Sequence, residues 1–304
     1  MNKMVWSWLL VVLVFNVLGA CKNNAVPTEE DRFDSGTLYI SCDESFKPVV
    51  DAEVQVYRND FPKANIIVDY KPEADCLRDF LVDSVRMIIA TRGPSAREKQ
   101  LIIDSLKLKV QSQTVAYDAI AVIVNPLAPD SMFTVEEIRG LLSGKSNKSL
   151  IPVLDGVKAT STVRFMLDSI LRGQPLGPNV TAAQSSVEVI NYVARTTNAV
   201  GFIGVGWIGN TDDTAQLSYL KKVKLARLES TDSIGGYVWP VQYLIYTKTY
   251  PLIRDLVYVL KDRDSRLARN FSNFLQAQRG QLIFRRAYLF PAIIPSYARD
   301  ARLE

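Results

Sequence analysis

Short apolar runs that end in a polar turn alternate with amphipathic segments along most of this chain. Thr37–Ser41, Ile66–Tyr70 and Arg86–Thr91 have the residue types of strands, whereas the stretches after them carry apolar residues at helical spacing. Strands that alternate with helices form a largely parallel sheet, because each connecting helix buries its apolar side on that sheet. The pattern therefore predicts an α/β fold.

The alternation continues toward the C-terminus. Val110–Asn125 is the most hydrophobic segment and predicts extended backbone. Thr134–Glu137 and Ser185–Glu188 are capping boxes, in which a hydroxyl and a carboxylate satisfy free amides at a helix start. Beyond them we predict an edge or hinge strand followed by two helices, at Val238–Thr247, Pro251–Leu260 and Asp264–Arg279.

The composition excludes several kinds of chemistry. The 304 residues include no histidine, which excludes Ser–His–Asp and Cys–His catalysis and histidine-ligated metals. Three cysteines are too few for a zinc site of cysteine alone, and the formal net charge of +4 comes without a dense Lys/Arg block. We therefore expect no metal, no cofactor and no nucleic-acid partner.

The first residues have the character of an export signal. Lys3 precedes the apolar run Trp8–Phe15, which is too short to span a membrane. Leu18–Cys21 then resembles a bacterial lipobox, so we expect residues 1–20 to be a lipoprotein signal peptide and Cys21 to carry the lipid. Residues 21–35 predict a flexible tether. The chain would then be exported and lipid-anchored to a membrane of the bacterial cell envelope; the alternative is an ordinary leader with a cysteine nearby.

A helix start with three hydroxyls is a candidate binding feature. Thr160, Ser161 and Thr162 precede a helical segment, at the positive end of its dipole, where backbone amides lack partners. Hydroxyls and free amides together suit a small oxyanion, although one hydroxyl could serve only as the N-cap. Arg164 in the first turn opposes the dipole, which indicates a ligand or a carboxylate nearby.

Charged side chains also follow the predicted strands. Asp43 and Glu44 follow the first strand, Glu73 the second and Arg92 the third, and open α/β sheets bind ligands at such strand ends. The acids could support glycoside hydrolysis, with an ordinary acidic surface as the alternative. Arg92 could bind an anion, with a solvated loop arginine as the alternative.

Two other patterns leave alternatives open. Gly204–Gly209 matches the G-x-G-x-x-G fingerprint, but no helix or ribose-binding acid is predicted after it, so we interpret it as a chance match at a tight turn. Cys42 and Cys76 follow strands predicted to be adjacent, and they could form a disulfide in an oxidising compartment or remain two buried thiols.

Four segments in order resemble the phosphate-binding proteins of ABC importers. Ala116–Pro126 is similar to a central strand of that family, and Phe133–Lys145 to the short helix with a Gly–Lys end that follows it. Ala199–Gly204 resembles a later strand, and Phe271–Pro291 resembles the C-terminal helix and its tail. The resemblance covers about residues 36–295.

The resemblance implies a type II periplasmic binding protein fold, in which two α/β lobes joined by two crossing strands close over one ligand. It places lobe 1 at residues 36–118 and 236–304 and lobe 2 at residues 119–235, with a hinge near Val115–Tyr117 and Trp239–Tyr243. Members of this family bind phosphate or a similar oxyanion, deliver it to an ABC permease and perform no catalysis. On this basis we expect a monomeric binding protein.

The resemblance also implies which side chains hold the ligand. The candidates are Glu44, Ser45, Phe46, Glu73, Thr91, Arg92, Thr160, Ser161, Thr162 and Arg164. A carboxylate among them, Glu44 or Glu73, could accept the proton of phosphate and so exclude sulfate. The acids of the first loop and the residues inserted at 157–159 depart from the family pattern. These departures motivate an alternative, a lipoprotein of the same fold that acts as a surface interaction or sensory module without a transport role.

Overall fold

A computed structural model of the chain describes residues 32–107, 109–156, 160–262 and 265–294. The predicted signal peptide, Cys21, residues 21–31 of the predicted tether and residues 157–159 lie outside this part of the chain. No helix within the described part is both long and apolar enough to cross a membrane.

One large mixed sheet and one small sheet organise the described residues. The strands are β1 Ser35–Asp43, β2 Lys63–Lys71, β3 Val85–Ala90, β4 Lys109–Val124, β5 Met132–Phe133, β6 Ile151–Leu154, β7 Thr181–Ala182, β8 Ala199–Gly204, β9 Lys224–Leu225, β10 Arg227–Glu229, β11 Tyr237–Val238, β12 Ile253–Asp262 and β13 Phe290–Pro291. The large sheet runs β2–β1–β3–β12–β4–β8–β6–β7, with β9 and β13 also paired to β4, and the small sheet runs β11–β10–β5. Strands β1, β2 and β3 are mutually parallel, as are β6, β7 and β8, which confirms the predicted α/β fold.

Helices pack on this sheet. They are α1 Lys47–Asp60, α2 Glu73–Arg78, α3 Ala96–Leu106, α4 Val135–Ser143, α5 Ser161–Phe165, α6 Ser186–Arg195, α7 Thr214–Leu220, α8 Gln242–Tyr246, α9 Arg266–Gln276 and α10 Gln278–Arg286. Helix α1 packs on β2, α9 on β1 and β12, and α6 on β6 and β8. Thr134 and Glu137 form the predicted capping box at α4, and the Ser185 hydroxyl accepts from the Glu188 amide to cap α6.

Two long antiparallel strands, β4 and β12, lie side by side at the centre of the large sheet. Strand β4 pairs with β12 from Lys109 to Ala119 and with β8 from Ile120 to Val124. It therefore passes from one side of the sheet into the other. We call the side of β1, β2 and β3 the first half, and the side of β6, β7 and β8 the second half.

The prediction of a helix over Pro251–Leu260 is wrong, because this segment forms most of β12. The strand lies between β3 and β4, and its residues from Leu256 to Lys261 are all buried. A strand that is covered on both faces does not alternate apolar and polar residues, so its sequence lacks the strand period. Its position in the sheet was decided by tertiary packing.

The prediction of a strand over Val238–Thr247 is also wrong for most of its length. Only Tyr237–Val238 is extended, and Gln242–Tyr246 forms helix α8 after Pro240. The expected hinge strand at Trp239–Tyr243 is thus absent from these described residues, and β12 takes the place beside β4. The predicted C-terminal helix Asp264–Arg279 is two helices, α9 and α10.

The two cysteines of the described residues are buried free thiols. Cys42 lies in β1 and its thiol contacts the carbonyl of Asp43, while the Cys76 thiol contacts the carbonyl of Lys71. Of the two alternatives, the structure holds the pair of buried thiols. Burial raises the pKa of both thiols, which keeps them protonated and unreactive.

Lys261 gives a test of the central packing. Its ammonium is buried and donates to the carbonyl oxygens of Asp79 and Phe80, each at 3.1 Å, and to that of Val82. Lys261→Met would remove the ammonium donor from all three carbonyls, of which those of Asp79 and Val82 also accept from the backbone amides of Val82 and Val85. We expect a loss of about 2–4 kcal/mol in the free energy of unfolding, measured by urea denaturation. The exposed Lys224→Met is the matched control. Equal losses in the two variants would contradict this account.

Candidate functional site

Two serines from opposite halves of the sheet meet at the centre of the molecule. Ser45 lies in a 3-10 turn directly after β1, and Ser161 is the first residue of α5. Their Oγ atoms are 3.3 Å apart, and both residues are buried. Asp43 fixes the first turn by accepting from the Ser45 amide at 3.1 Å, and Thr160 caps α5 by accepting from the Val163 amide at 3.2 Å.

Arg254 lies beside both serines, although it belongs to neither of their loops. It sits on β12 directly opposite Asp118 of β4, and its Nε donates to Asp118 Oδ2 at 2.7 Å. One terminal nitrogen donates to Ser161 Oγ at 2.9 Å and to Thr162 Oγ1 at 3.3 Å. The guanidinium carbon lies 5.1 Å from the ring centre of Phe46. The ion pair therefore holds a positive charge between the two halves.

The other terminal nitrogen of Arg254 has no hydrogen-bond partner, although the residue is only 5% exposed. A buried guanidinium normally uses all of its donors, because an unpaired donor loses the hydrogen bond that water would supply. This nitrogen lies close to Gly204, where a Cβ atom would stand 3.0 Å from it and 3.3 Å from the carbonyl oxygen of Ser45. Glycine at the end of β8 thus makes room for the arginine.

Asp155 orients the two threonines of the helix start. Its carboxylate oxygens accept from Thr160 Oγ1 at 2.9 Å and from Thr162 Oγ1 at 3.1 Å. Each of these hydroxyls has only one hydrogen, which is used in its bond to Asp155. One of the two serines, Ser45 or Ser161, donates to the other, so one of these hydroxyls and the unpaired nitrogen of Arg254 carry the donor capacity of the site.

Asp43 supplies an acceptor beside these donors. Its Oδ2 atom is buried without a hydrogen-bond partner, while its Oδ1 atom accepts from Ser45. Burial raises the pKa of Asp43 to about 7, and the nearby charge of Arg254 opposes that rise. Burial also raises the pKa of Asp118 and of Asp155, against the opposing effects of Arg254 and the threonine hydroxyls. One guanidinium and three carboxyl groups therefore share this buried space.

Three of the candidate residues come together but bond to one another. Arg164 Nε donates to Glu73 Oε2 at 2.6 Å, and an Arg164 terminal nitrogen donates to Thr91 Oγ1. Glu73 also accepts from the Thr91 amide at 3.0 Å and from its hydroxyl. The sequence predicted a ligand or a carboxylate near Arg164, and the structure places the carboxylate of Glu73 there.

The remaining charged candidates pair with residues outside the Arg254 site. Arg92 donates to both carboxylate oxygens of Glu98, at 2.8 and 2.9 Å, within the first half. Glu44 accepts from the Ser186 hydroxyl at the start of α6, at 3.0 Å. Arg92 is therefore bound to a neighbouring acid in its own half, and Glu44 joins the two halves.

Comparison with known proteins places this geometry in a family. Residues 27–279 match the model of a PBP superfamily domain. The chain belongs to the PBP superfamily. No curated protein matches it in sequence.

Solved structures share the PBP superfamily fold of this chain. A crystal structure described as a phosphate ABC transporter substrate-binding protein with bound phosphate, from Clostridium perfringens, is 18% identical with a TM-score of 0.68, over 84% of this chain and 100% of that one. An ABC-type phosphate transport receptor from Vibrio cholerae is 19% identical with a TM-score of 0.61, over 84% and 100%. The CcmR regulatory domain from Synechocystis PCC6803, in complex with 2-PG, is 11% identical with a TM-score of 0.55, over 80% and 96%. These likenesses establish the two-lobed periplasmic binding protein fold.

The PBP superfamily fold explains which site residues the sequence missed. Arg254 and Asp118 lie on the central strands β12 and β4. Because Pro251–Leu260 was predicted to be a helix, the sequence analysis did not place Arg254 on a strand beside Asp118. Asp118 did carry a signal, because it is the only charge in the apolar run from Val115 to Val124. A lone charge in a buried strand needs a partner, yet the sequence does not say which residue provides it.

Asp43 gives the site a measurable pH dependence. Its folded pKa of about 7 exceeds its ordinary 3.8, so the folded chain holds a proton that the unfolded chain releases between these values. The free energy of unfolding therefore falls as the pH rises through this window. We expect Asp43→Asn to remove up to about 4 kcal/mol of this fall, because the amide does not titrate.

Urea unfolding at intervals from pH 4 to pH 7 measures this effect. The exposed Asp104→Asn should retain the pH dependence of the unmodified chain and serves as the control. Parallel pH profiles for Asp43→Asn and the unmodified chain would rule out a raised pKa at Asp43.

Proposed function

We propose that this protein is the lipid-anchored substrate-binding protein of an ABC-type importer and binds inorganic phosphate or a similar oxyanion. The observation that carries the proposal is the buried Arg254 guanidinium, which has a free terminal nitrogen beside two serine hydroxyls from opposite halves. A fixed positive charge with converging N–H and O–H donors suits a tetrahedral oxyanion. The halves would open to admit the ligand and close again with both serines on it.

Asp43 extends the proposal to the protonation state of the ligand. Its free Oδ2 could accept a hydrogen bond from protonated phosphate, whereas fully ionised sulfate would be repelled. The sequence suggested Glu44 or Glu73 for this role. Glu73 is already saturated by Thr91 and Arg164, and Glu44 accepts from Ser186, so Asp43 is the better placed acceptor.

The fold comparisons support the same class of ligand. The Clostridium perfringens structure contains bound phosphate, and the Vibrio cholerae protein is a phosphate transport receptor. Binding without catalysis agrees with the site, where Ser161 accepts from Arg254 and the chain has no histidine to activate a hydroxyl.

Further parts of the proposal extend the sequence predictions. Cys21 in its lipobox would anchor the exported chain, and a membrane permease would receive the ligand. The lobes would comprise residues 36–118 with 236–304, and residues 119–235. The central pairing of β4 and β12 makes these two strands the place where the lobes would bend. We propose a monomer, in which one chain supplies both sides of the site.

A second candidate is a sensory or interaction module of the same fold. The Oγ atoms of Ser45 and Ser161 are only 3.3 Å apart, and Glu73, Thr91 and Arg164 satisfy one another. A regulatory domain from Synechocystis PCC6803 also shares the fold. If the cleft is closed by its own side chains, the protein could signal its closed state to a partner without transporting a solute.

Thermal melting in phosphate-free buffer distinguishes these functions. We expect phosphate at about 100 times its Kd to stabilise the protein by about 2.7 kcal/mol, and arsenate to act similarly because it carries the same proton. Ser161→Ala should abolish the rise in Tm, whereas the exposed Ser218→Ala should retain it. An unchanged Tm with every anion would contradict the phosphate proposal and favour the sensory module.

Discrimination against sulfate tests the role of Asp43. We expect the unmodified chain at pH 8 to ignore sulfate, and Asp43→Asn to bind it, because the amide can donate where the carboxylate repels. Isothermal titration with sulfate and phosphate measures both affinities. If Asp43→Asn rejects sulfate as strongly as the unmodified chain while still binding phosphate, then another group selects the ligand.

A further inference from the structure

Arg164 forms a contact between the two halves that is separate from the Arg254 site. It extends from the first turn of α5 in the second half to Glu73, which begins α2, and to Thr91, which follows β3. Its Nε lies 2.6 Å from Glu73 Oε2, and a terminal nitrogen lies 3.5 Å from Glu73 Oε1 and donates to Thr91. We call these three residues the Arg164 cluster.

The Arg164 cluster is built as a closed hydrogen-bond network. The Glu73 side chain is 2% exposed, and both of its oxygens accept from Arg164, with the Thr91 amide and hydroxyl as further donors. Although burial alone would raise the pKa of Glu73, the bonds to Arg164 and Thr91 lower it. Glu73 is therefore a buried carboxylate whose main compensating charge comes from the other half of the molecule.

Arg164 is fixed from its own side as well. Asp168, one turn further along the same helical segment, accepts from its other terminal nitrogen at 3.4 Å. This second carboxylate orients the guanidinium toward the first half. A further bond between the halves joins Ser186 to Glu44 at 3.0 Å.

We propose that the Arg164–Glu73 ion pair is a latch that holds the two halves closed independently of any ligand. If the halves separated, Glu73 would lose its compensating charge while remaining against Thr91 in its own half. Opening is then costly in the chain by itself, and a ligand would enter only during these openings. The latch does not depend on which ligand the protein binds, and it applies equally to a transport or a sensory role.

Hydrogen exchange of the full chain, followed by mass spectrometry, tests the latch. In Arg164→Ala we expect about tenfold faster exchange in peptides that cover other parts of the interface, around Ser45 and around Ser186. Ser45 contacts Ser161 on the helix that carries Arg164, whereas Ser186 lies on another helix and contacts Glu44, so only separation of the halves would expose both. Arg92→Ala is the matched control, because it removes an arginine–glutamate pair that lies within one half.

Two further variants keep the test decisive. Arg164→Lys retains the charge but loses the forked geometry of the guanidinium, so we expect a smaller increase in the exchange rate around Ser45 and Ser186. Arg164→Lys also replaces Arg164→Ala if the alanine variant does not fold. Glu73→Gln should increase exchange around Ser45 and Ser186 in the same way. Faster exchange confined to the peptides around Glu73, Thr91 and Arg164 would overturn the latch, as would equal effects of Arg92→Ala and Arg164→Ala.

Discussion

The ion pair between Arg254 and Asp118 is the interaction on which the site depends. Both side chains are buried at the middle of the sheet, with Nε and Oδ2 at 2.7 Å. Taking two charges out of water costs several kcal/mol per ion, and only close, well-oriented contact offsets that cost. The register of β12 against β4 supplies this geometry, because Arg254 and Asp118 stand directly opposite each other. The strands that join the two halves therefore also fix the charge between them.

The hydroxyl groups around this ion pair each have one hydrogen to donate, and this limit decides which hydrogen bonds they form. Asp155 takes the hydrogens of Thr160 and Thr162, which leaves the oxygen of Thr162 to accept from Arg254. Ser45 and Ser161 face each other across the halves, and one of the two hydroxyls donates to the other. The threonines therefore position the helix start, and the serines and the arginine face the space between them. Of the three carboxyl groups around Arg254, Asp43 is the one with a buried oxygen that has no hydrogen-bond partner.

Much of this arrangement could be predicted from residue patterns. The ends of β1, β2 and β3 lie within two residues of the predicted ends, and Thr160 caps α5 at the hydroxyl-rich helix start that the sequence predicted. The capping box at Thr134 is present as predicted. These features are local, since a cap or a turn depends on residues three or four positions apart. The wrong helix at Pro251–Leu260 shows the limit, because a strand buried on both faces leaves no period in the sequence.

The sequence by itself determined the α/β class, the helix start at Thr160 and the presence of charged residues at the strand ends. Only the tertiary structure decided which charges meet. Arg164 is near Glu73 because two halves of a folded sheet approach each other, and Arg254 is near Asp118 because two strands 136 positions apart in sequence align. Arg92, equally plausible from sequence, bonds to Glu98 a few residues away. Charges pair over distances that chain order does not encode, so which arginine lies beside Ser45 and Ser161 is a property of the fold.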